Sequence, residues 1–151
     1  MKTVLTYGTY DLFHVGHVRL LKRLRSMGDR LIVGCSSDEF NGLKGKTSIF
    51  SYEERAEILQ SCEFVDLVFP EHHWDQKIDD IKEYQASIFA MGDDWSGKFD
   101  HLSELTEVYY LPRTDGISTT DIKSILSSSQ EQKFLQIKNA LETVNDLIST
   151  I

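Results

Sequence analysis

The chain has 151 residues and a mass of 17.3 kDa, and 40% of its residues are hydrophobic, which suits one domain with a substantial core. A formal net charge of −8 at pH 7 argues against nucleic acid as the main partner, because duplex binding needs a basic face. No apolar run approaches the ~20 residues of a membrane span, and the first strand starts almost at Met1, so we expect no membrane anchor and no signal peptide. Cys35 and Cys62 fit no metal or redox spacing, as is typical of a cytoplasmic protein.

Strand-like and helix-like segments alternate along residues 1–126. Short apolar runs predict strands at residues 3–7, 31–35, 65–70, 88–92 and 108–111. Apolar spacing or capping patterns predict helices at residues 18–27, from Ser51, at 76–84 and from Ser118 toward Leu126. We expect Gly28 to cap the first helix, and residues 41–47 to form a glycine- and lysine-rich loop. The alternation predicts an α/β fold with a five-stranded parallel sheet flanked by helices.

The pattern changes near the C-terminus. The run of three serines at residues 127–129 is expected to interrupt the helix, which resumes from Glu131. Apolar residues then recur at alternating intervals of three and four, the a/d seam of a coiled coil, at Phe134, Ile137, Leu141, Val144, Ile148 and Ile151. We expect residues 1–126 to form the main domain, and residues 127–151 to form a linker and an amphipathic helix. The seam either packs on the domain or pairs with another subunit.

One segment lies where the first predicted strand ends and the first predicted helix begins. Its sequence is Thr9-Tyr10-Asp11-Leu12-Phe13-His14-Val15-Gly16-His17. Backbone N–H groups at the strand end and at the helix start are suited to hold phosphate. His14 and His17, three residues apart, can share one face of the first turn and stabilise charge that develops on phosphorus. A chance pair of histidines and a metal site are the alternatives, the latter only if His72 and His73 come close.

A second segment, residues 113–120, combines an arginine with a glycine and three hydroxyl residues at a predicted helix start. The guanidinium of Arg113 is suited to a phosphate, and Gly116 allows a tight turn. Ser118, Thr119 and Thr120 offer hydroxyl and N–H donors. An ordinary helix cap beside a surface arginine is the alternative interpretation.

These segments resemble a known family. The run from Gly8 to His17 resembles the HxGH signature of the nucleotidyltransferase superfamily, in its cytidylyltransferase family. Residues 113–120 resemble that family's RTxGISTT signature, and residues 91–95 match in kind and position. The resemblance covers residues 1–126, which it identifies as a catalytic domain. It implies a Rossmann-like fold, a homodimer, and a Mg²⁺-dependent attack of glycerol 3-phosphate on CTP that gives CDP-glycerol and pyrophosphate, as in the supply of precursors for teichoic acid or capsule.

The resemblance also implies roles for individual residues. The catalytic residues would be His14, His17, Lys46 and Arg113. The nucleotide would contact Gly8, Thr9, Tyr10, Asp11, His14, Gly16, His17, Lys44, Gly92, Asp94, Arg113, Thr114, Gly116, Ile117, Ser118, Thr119 and Thr120. The acceptor would contact Lys46, Trp74 and Lys77, and Mg²⁺ would be held mainly by the CTP phosphates. Asp11 would fix its loop or, less readily, assist the metal, and Arg55 would be a surface charge or a nucleotide contact.

One position departs from the family pattern. Glu63 precedes the Phe64-Val65-Asp66 run, where the family usually carries a nucleotide-binding arginine. The reversed charge keeps two alternatives open at this stage. One is a transferase that uses ATP, or another phospho-alcohol such as phosphoethanolamine or phosphocholine. The other is a non-catalytic nucleotide-binding or assembly module built around the C-terminal seam.

Overall fold

Five parallel strands form the central sheet in the computed structural model, which describes residues 1–113 and 118–150. The strands are β1 (Thr3–Gly8), β2 (Arg30–Ser36), β3 (Leu67–Glu71), β4 (Ile88–Gly92) and β5 (Glu107–Leu111). Their order across the sheet is β3-β2-β1-β4-β5, and every neighbouring pair is parallel. The predicted α/β architecture is therefore confirmed.

Within the described residues, five α-helices connect or follow the strands. They are α1 (Val15–Arg25), α2 (Asp38–Leu43), α3 (Tyr52–Gln60), α4 (Lys77–Glu83) and α5 (Thr119–Ser149). Short 3-10 turns add Trp74–Gln76, Asp93–Trp95 and Asp100–Glu104. Ser37 and Ser51 cap α2 and α3 through their side chains, as their sequence context predicts for Ser51.

Both faces of the sheet are covered, which explains the near-continuous apolarity of β2. Because side chains alternate across a strand, each strand contributes to two separate clusters. One face packs Val4, Leu31 and Val33 against Leu21 of α1 and Leu59 of α3. The other face buries Leu5, Tyr7, Ile32, Phe69, Ile81, Ala86, Phe89, Met91, Phe99 and Leu102. The sheet is thus the middle of three layers.

The strand order places a switch point between β1 and β4. From β1 the chain moves outward through β2 and β3, then returns to the other side of β1 to form β4 and β5. In open parallel sheets, ligands bind outside the carboxyl ends of the strands at this point. For this chain, those ends are Gly8 of β1 and Gly92 of β4.

Several predicted boundaries were wrong. The first helix ends at Arg25 with Ser26 as its cap, and Gly28 is not a left-handed cap. A side chain at Gly28 would instead place its Cβ 2.7 Å from the carbonyl oxygen of Lys2, so close backbone packing explains the glycine. Part of the predicted loop at residues 41–47 is helical, because α2 continues to Leu43.

The predicted break at residues 127–129 was also wrong, because α5 runs without interruption from Thr119 to Ser149. Each serine costs only ~0.5 kcal/mol in a helix interior relative to alanine, too little to stop a helix that is already propagating. Contacts divide the chain into two compact units, Met1–Gly116 and Ile117–Ile151. Within the part of the chain that the structure describes, no helix has the length and apolarity needed to cross a bilayer.

Arg55 belongs to the first unit and is completely buried. Its guanidinium donates to the carbonyl oxygens of Thr9 (2.9 Å), Ser36 (2.8 Å) and Phe50 (3.0 Å), and to the carboxylate of Asp38 (2.8 Å). It thus joins the ends of β1 and β2 to the segments around α2 and α3. It is neither the surface charge nor the nucleotide contact that the sequence left open.

We expect Arg55→Ala to lower the free energy of unfolding by at least ~3 kcal/mol, because it leaves buried carbonyl groups without donors and opens a cavity. Arg19→Ala, at an exposed position of α1, is the control and should change stability by less than ~0.5 kcal/mol. Urea denaturation followed by circular dichroism measures both. Equal midpoints for the two variants would contradict the structural role of Arg55.

Candidate active site

The connection between β1 and α1 is held in an unusual backbone conformation. Tyr10 and Leu12 both have positive φ angles, 54° and 50°. The ring of Tyr10 folds back over the strand end, where a Cβ at Gly8 would lie 2.6 Å from it. Strain of this kind persists only where the surroundings enforce it, and it is frequent at binding sites. Packing of the Tyr10 ring against the strand end therefore requires a glycine at the position of Gly8.

Asp11 enforces part of this conformation. Its buried carboxylate accepts hydrogen bonds from the backbone N–H groups of Leu12 (3.1 Å), Ile49 (2.7 Å) and Phe50 (3.0 Å). The last two belong to the segment that precedes α3. Asp11 thus ties two loops together, which agrees with the loop-fixing role and commits its oxygens to protein donors.

His14 and His17 form a reciprocal cap at the start of α1. The Nδ1 atom of His14 accepts the backbone N–H of Gly16 (3.0 Å), and the Nδ1 atom of His17 accepts the backbone N–H of His14 (3.1 Å). The two rings lie 4.0 Å apart between centroids. The arrangement has the form of a capping box, with imidazoles in place of the usual hydroxyl and carboxyl groups.

This cap decides where the imidazole protons are. A neutral imidazole carries one proton, so a ring whose Nδ1 accepts a hydrogen bond has its proton on Nε2. Both rings are therefore oriented with an Nε2–H donor directed away from the helix start. Both histidines thus belong to one cap at the start of α1.

His17 is neutral at physiological pH. Burial, reinforced by the neighbouring His14, lowers the pKa of His17 from 6.5 to about 4, although Asp11 acts in the opposite direction. His17 therefore offers an N–H donor and carries no positive charge at this pH.

A cleft of about 220 Å³ opens at the switch point. Six of the predicted site residues line it, namely Gly8, Thr9, Tyr10, His17, Gly92 and Asp94. Tyr7, Leu20, Leu24, Met91 and Trp95 complete much of the wall. The structure thus brings the first signature and the residues after β4 to one site, as the sequence predicted.

A cluster of aromatic rings and lysines adjoins the cleft. Trp74, 46% exposed, packs against Phe40 (5.1 Å) and Trp95 (5.7 Å between centroids). The ammonium of Lys44 lies over the ring of Phe40 at 4.4 Å, and burial lowers the pKa of this lysine. Trp95 belongs to both the cleft and this cluster, so the expected acceptor residue Trp74 is beside the cleft. Lys46 is exposed on the segment after α2.

Lys77 is buried in the same cluster and is not a surface lysine. Its ammonium is 2.6 Å from a carboxylate oxygen of Glu71, and the two side chains are only 5% and 4% exposed. The rings of Tyr7, Trp74 and Phe99 surround it at 4.5, 5.0 and 5.5 Å. The sequence pointed to Lys77, but it gave no indication of this carboxylate partner.

A second buried carboxylate, that of Asp80, stabilises the position of Tyr7. The Tyr7 hydroxyl donates to Asp80 (2.7 Å), and Asp80 also accepts a hydrogen bond from the side chain of Gln76 (2.9 Å). Burial and the Asp80 hydrogen bond raise the pKa of Tyr7, so it remains a neutral donor. Sequence analysis missed Tyr7, Glu71 and Asp80, because nothing in their local spacing distinguishes them from ordinary strand and helix residues.

The second signature divides between the two units of the chain. Arg113 is exposed after β5, while Thr114, Gly116 and Ile117 lie outside the described residues. Ser118 caps α5 by a reciprocal pair of 3.1 Å hydrogen bonds with Asp121, and Thr119 and Thr120 form the first turn. The capping role of Ser118 agrees with the alternative interpretation, and its contact with a nucleotide stays a prediction.

Glu63 lies far from the cleft of its own chain. It is exposed in the turn between α3 and β3, before the amino end of β3. The cleft lies at the opposite, carboxyl edge of the sheet. The two edges are separated by about five strand residues, or ~16 Å. The reversed charge is therefore not part of the cleft wall within the described residues of the same chain.

Comparison with known proteins gives a consistent result. Residues 5–125 match the family model described as cytidylyltransferase-like. The chain is 57% identical to a glycerol-3-phosphate cytidylyltransferase of Bacillus spizizenii, over 85% of this chain and 99% of that protein. It is 56% identical to the enzyme of the same name in Staphylococcus aureus, over 83% and 96%.

The fold also has a solved counterpart. A lipopolysaccharide core biosynthesis protein from Thermoplasma volcanium matches with a TM-score of 0.69 and 24% identity, over 76% of this chain and 99% of that one. At this identity the match supports the fold alone. The resemblance drawn from the three motifs is confirmed by the sequence matches, and the chain belongs to the cytidylyltransferase-like family.

Proposed function

We propose that this chain is a CTP:glycerol-3-phosphate cytidylyltransferase, which joins CTP and glycerol 3-phosphate to give CDP-glycerol and pyrophosphate. The reciprocal His14–His17 cap at the switch point is the observation that carries the proposal, because it leaves an Nε2–H donor on each imidazole beside a helix start, where phosphates bind. Relatives of that name at 54–57% identity support the choice of substrates.

The mechanism needs little covalent help from the protein. The acceptor phosphate is already an anion, so no strong general base is required. The barrier comes from bringing two anions together and from charge on the departing pyrophosphate, which positioning and fixed donors must offset. In this proposal, His14 and His17 donate from Nε2 to the α-phosphate region, and the β1–α1 backbone holds the triphosphate. Lys44, Lys46 and Arg113 supply the positive charge.

The donor set fits a magnesium ion that arrives on the nucleotide. Among residues 1–113 and 118–150, no group of three or more His, Cys, Asp or Glu side chains is placed to hold a metal. Asp11 is committed to backbone donors, whereas Asp94 is exposed in the cleft wall. Asp94 would therefore assist Mg²⁺, with triphosphate oxygens as the main ligands. When bound, the ion neutralises phosphate charge.

The homodimer belongs to the same proposal, with α5 as a contact between two copies. The seam residues Phe134, Ile137, Leu141, Val144 and Ile148 are each 51–71% exposed, and α5 buries none of its residues. An aligned parallel pair would bring Lys133 of one helix, at position g, against Lys138 of the other, at position e. An antiparallel pair avoids this repulsion and still packs residues at position a of one helix against residues at position d of the other. We also propose a cytoplasmic location and a role in supplying teichoic acid or capsule precursors.

Pyrophosphate release across a panel of nucleotides and acceptors tests the function. The chain should turn over CTP with glycerol 3-phosphate, in preference to ATP and to phosphocholine. His14→Ala and His17→Ala should each lower turnover by about two to three orders of magnitude, as the loss of one oxyanion donor does. His101→Ala, at an exposed position away from the cleft, is the control.

One outcome would contradict the proposed activity, and another would contradict the proposed role of the two histidines. Calorimetric binding of CTP without pyrophosphate release would favour a non-catalytic nucleotide-binding module. Turnover close to wild type in both histidine variants would reject the role of the cap.

Stability should depend on pH through His17. Its folded pKa of about 4 lies below its ordinary 6.5, so between these values the unfolded chain binds a proton that the folded chain does not. The free energy of unfolding should therefore fall as pH decreases from 6.5 to 4, and this contribution should be constant above 6.5. Urea denaturation at stepped pH, compared between wild type and His17→Asn, measures it. Parallel pH curves for the two proteins would contradict it.

The seam should control self-association. Leu141→Lys places a charge in the centre of the seam and is expected to convert a dimer into a monomer. Asn139→Lys, on the polar side of the same helix, is the matched control and should leave the dimer intact. Sedimentation velocity or light scattering after size exclusion gives the mass. A Leu141→Lys protein with the mass of the wild type would reject α5 as the contact.

A further inference from the structure

Lys77 occupies a site whose chemistry is that of an ammonium receptor. Three aromatic rings surround its Nζ atom, those of Tyr7, Trp74 and Phe99 at 4.5, 5.0 and 5.5 Å. The carboxylate of Glu71 closes the site at 2.6 Å. Aromatic faces together with a carboxylate are the groups by which proteins recognise alkylammonium ligands. In this protein the site is filled by a side chain of the protein itself.

The burial of this pair is hard to explain as ordinary surface electrostatics. Counted as whole residues, backbone included, Lys77 is 4% exposed and Glu71 is 3% exposed. Charged residues are rarely buried so completely. A buried ion pair is often no more stabilising than apolar residues of similar volume. The pair also neutralises itself, so Lys77 offers little net charge to an acceptor phosphate. These properties point to a role other than general attraction of anions.

The site adjoins the cleft. Tyr7 contacts the Lys77 ammonium and also lines the cleft. Trp74, half-exposed, packs on Trp95, which lines the same cleft. Tyr7 in the cleft wall and Trp74 beside it are therefore the rings of this site that an acceptor next to the nucleotide would meet.

We infer that the Lys77 ammonium occupies the place that the ammonium of an amino-alcohol phosphate would need, and thereby restricts the acceptor to phospho-alcohols with an uncharged, hydroxylated end. This inference rests on the proposed function, because it specifies which acceptors the same cleft takes. Phosphoethanolamine and phosphocholine would have to place a second cation beside Lys77. Glycerol 3-phosphate brings hydroxyl groups and meets no such repulsion.

The test uses the full-length protein and pyrophosphate release with CTP. The wild type should use glycerol 3-phosphate at least about a hundredfold better in kcat/KM than phosphoethanolamine, the discrimination expected from leaving a buried polar site wrongly paired. Lys77→Ala empties the site while Glu71 and the rings remain. We expect it to raise kcat/KM for phosphoethanolamine about tenfold or more, the equivalent of a desolvated cation–π contact.

Two further variants separate ammonium recognition from a simple gain of space. In the double variant with Glu71→Gln and Lys77→Ala the space is the same but the carboxylate is gone, so the gain with phosphoethanolamine should disappear. Lys82→Ala, at an exposed position of α4, is the control and should leave the acceptor preference unchanged. An equal gain in the double variant would overturn the ammonium site.

Binding is tested independently of activity. Methylammonium chloride, compared with sodium chloride at the same concentration, should raise the melting temperature of Lys77→Ala and leave that of Lys82→Ala unchanged. A Lys77→Ala protein that folds but shows neither this shift nor the gain with phosphoethanolamine would establish a purely structural ion pair and overturn the inference. If the Lys77→Ala variant does not fold, the acceptor preference of the wild type is the test. Comparable kcat/KM of the wild type for phosphoethanolamine and glycerol 3-phosphate would also overturn the inference. Failure of the wild type with every acceptor would contradict the proposed function, while the thermal shift still tests the site.

Discussion

The two hydrogen bonds between imidazole Nδ1 atoms and backbone N–H groups at the start of α1 are the constraint on which the site depends. They satisfy donors that the first turn of a helix otherwise leaves without partners. The same two bonds fix the orientation and tautomer of both rings, and with that the direction of their remaining N–H donors. In the proposed function, helix initiation and phosphate recognition therefore depend on the same two hydrogen bonds, and the spacing of His14 and His17 follows from them.

Much of the fold could be predicted from periodicity, because parallel strands that are covered on both faces have long apolar runs. The strand at residues 88–92 was predicted with the observed bounds. The three serines at residues 127–129 misled the prediction, because local composition was weighed above helix propagation. The C-cap at Gly28 was wrong for a related reason, since a glycine required by tertiary packing resembles one required by backbone conformation.

The site was predictable only where a short motif carries it. His14, His17 and the residues after β4 are recognisable from local spacing, and the structure brings His17, Gly92 and Asp94 to one cleft. Glu71 and Tyr7 are not recognisable in this way, because their importance arises from contacts between β1, β3 and α4. Contacts between side chains of different elements leave no periodic signal in a single sequence. Such pairs also explain how an acidic protein can position individual cations, since Arg55 and Lys77 each have a carboxylate partner.

The two cysteines occupy chemically different surroundings. Cys35 is fully buried beside the end of β1, where its thiol contacts the carbonyl oxygen of Thr9, and burial raises the pKa of this thiol to about 11. Its nucleophilic thiolate form is therefore scarce at neutral pH, and alkylating reagents or peroxides have no ready access to it. Cys62, partly exposed in the turn after α3, lies toward the other edge of the sheet. A maleimide dye directed to Cys62 therefore reports on the protein without touching the cleft.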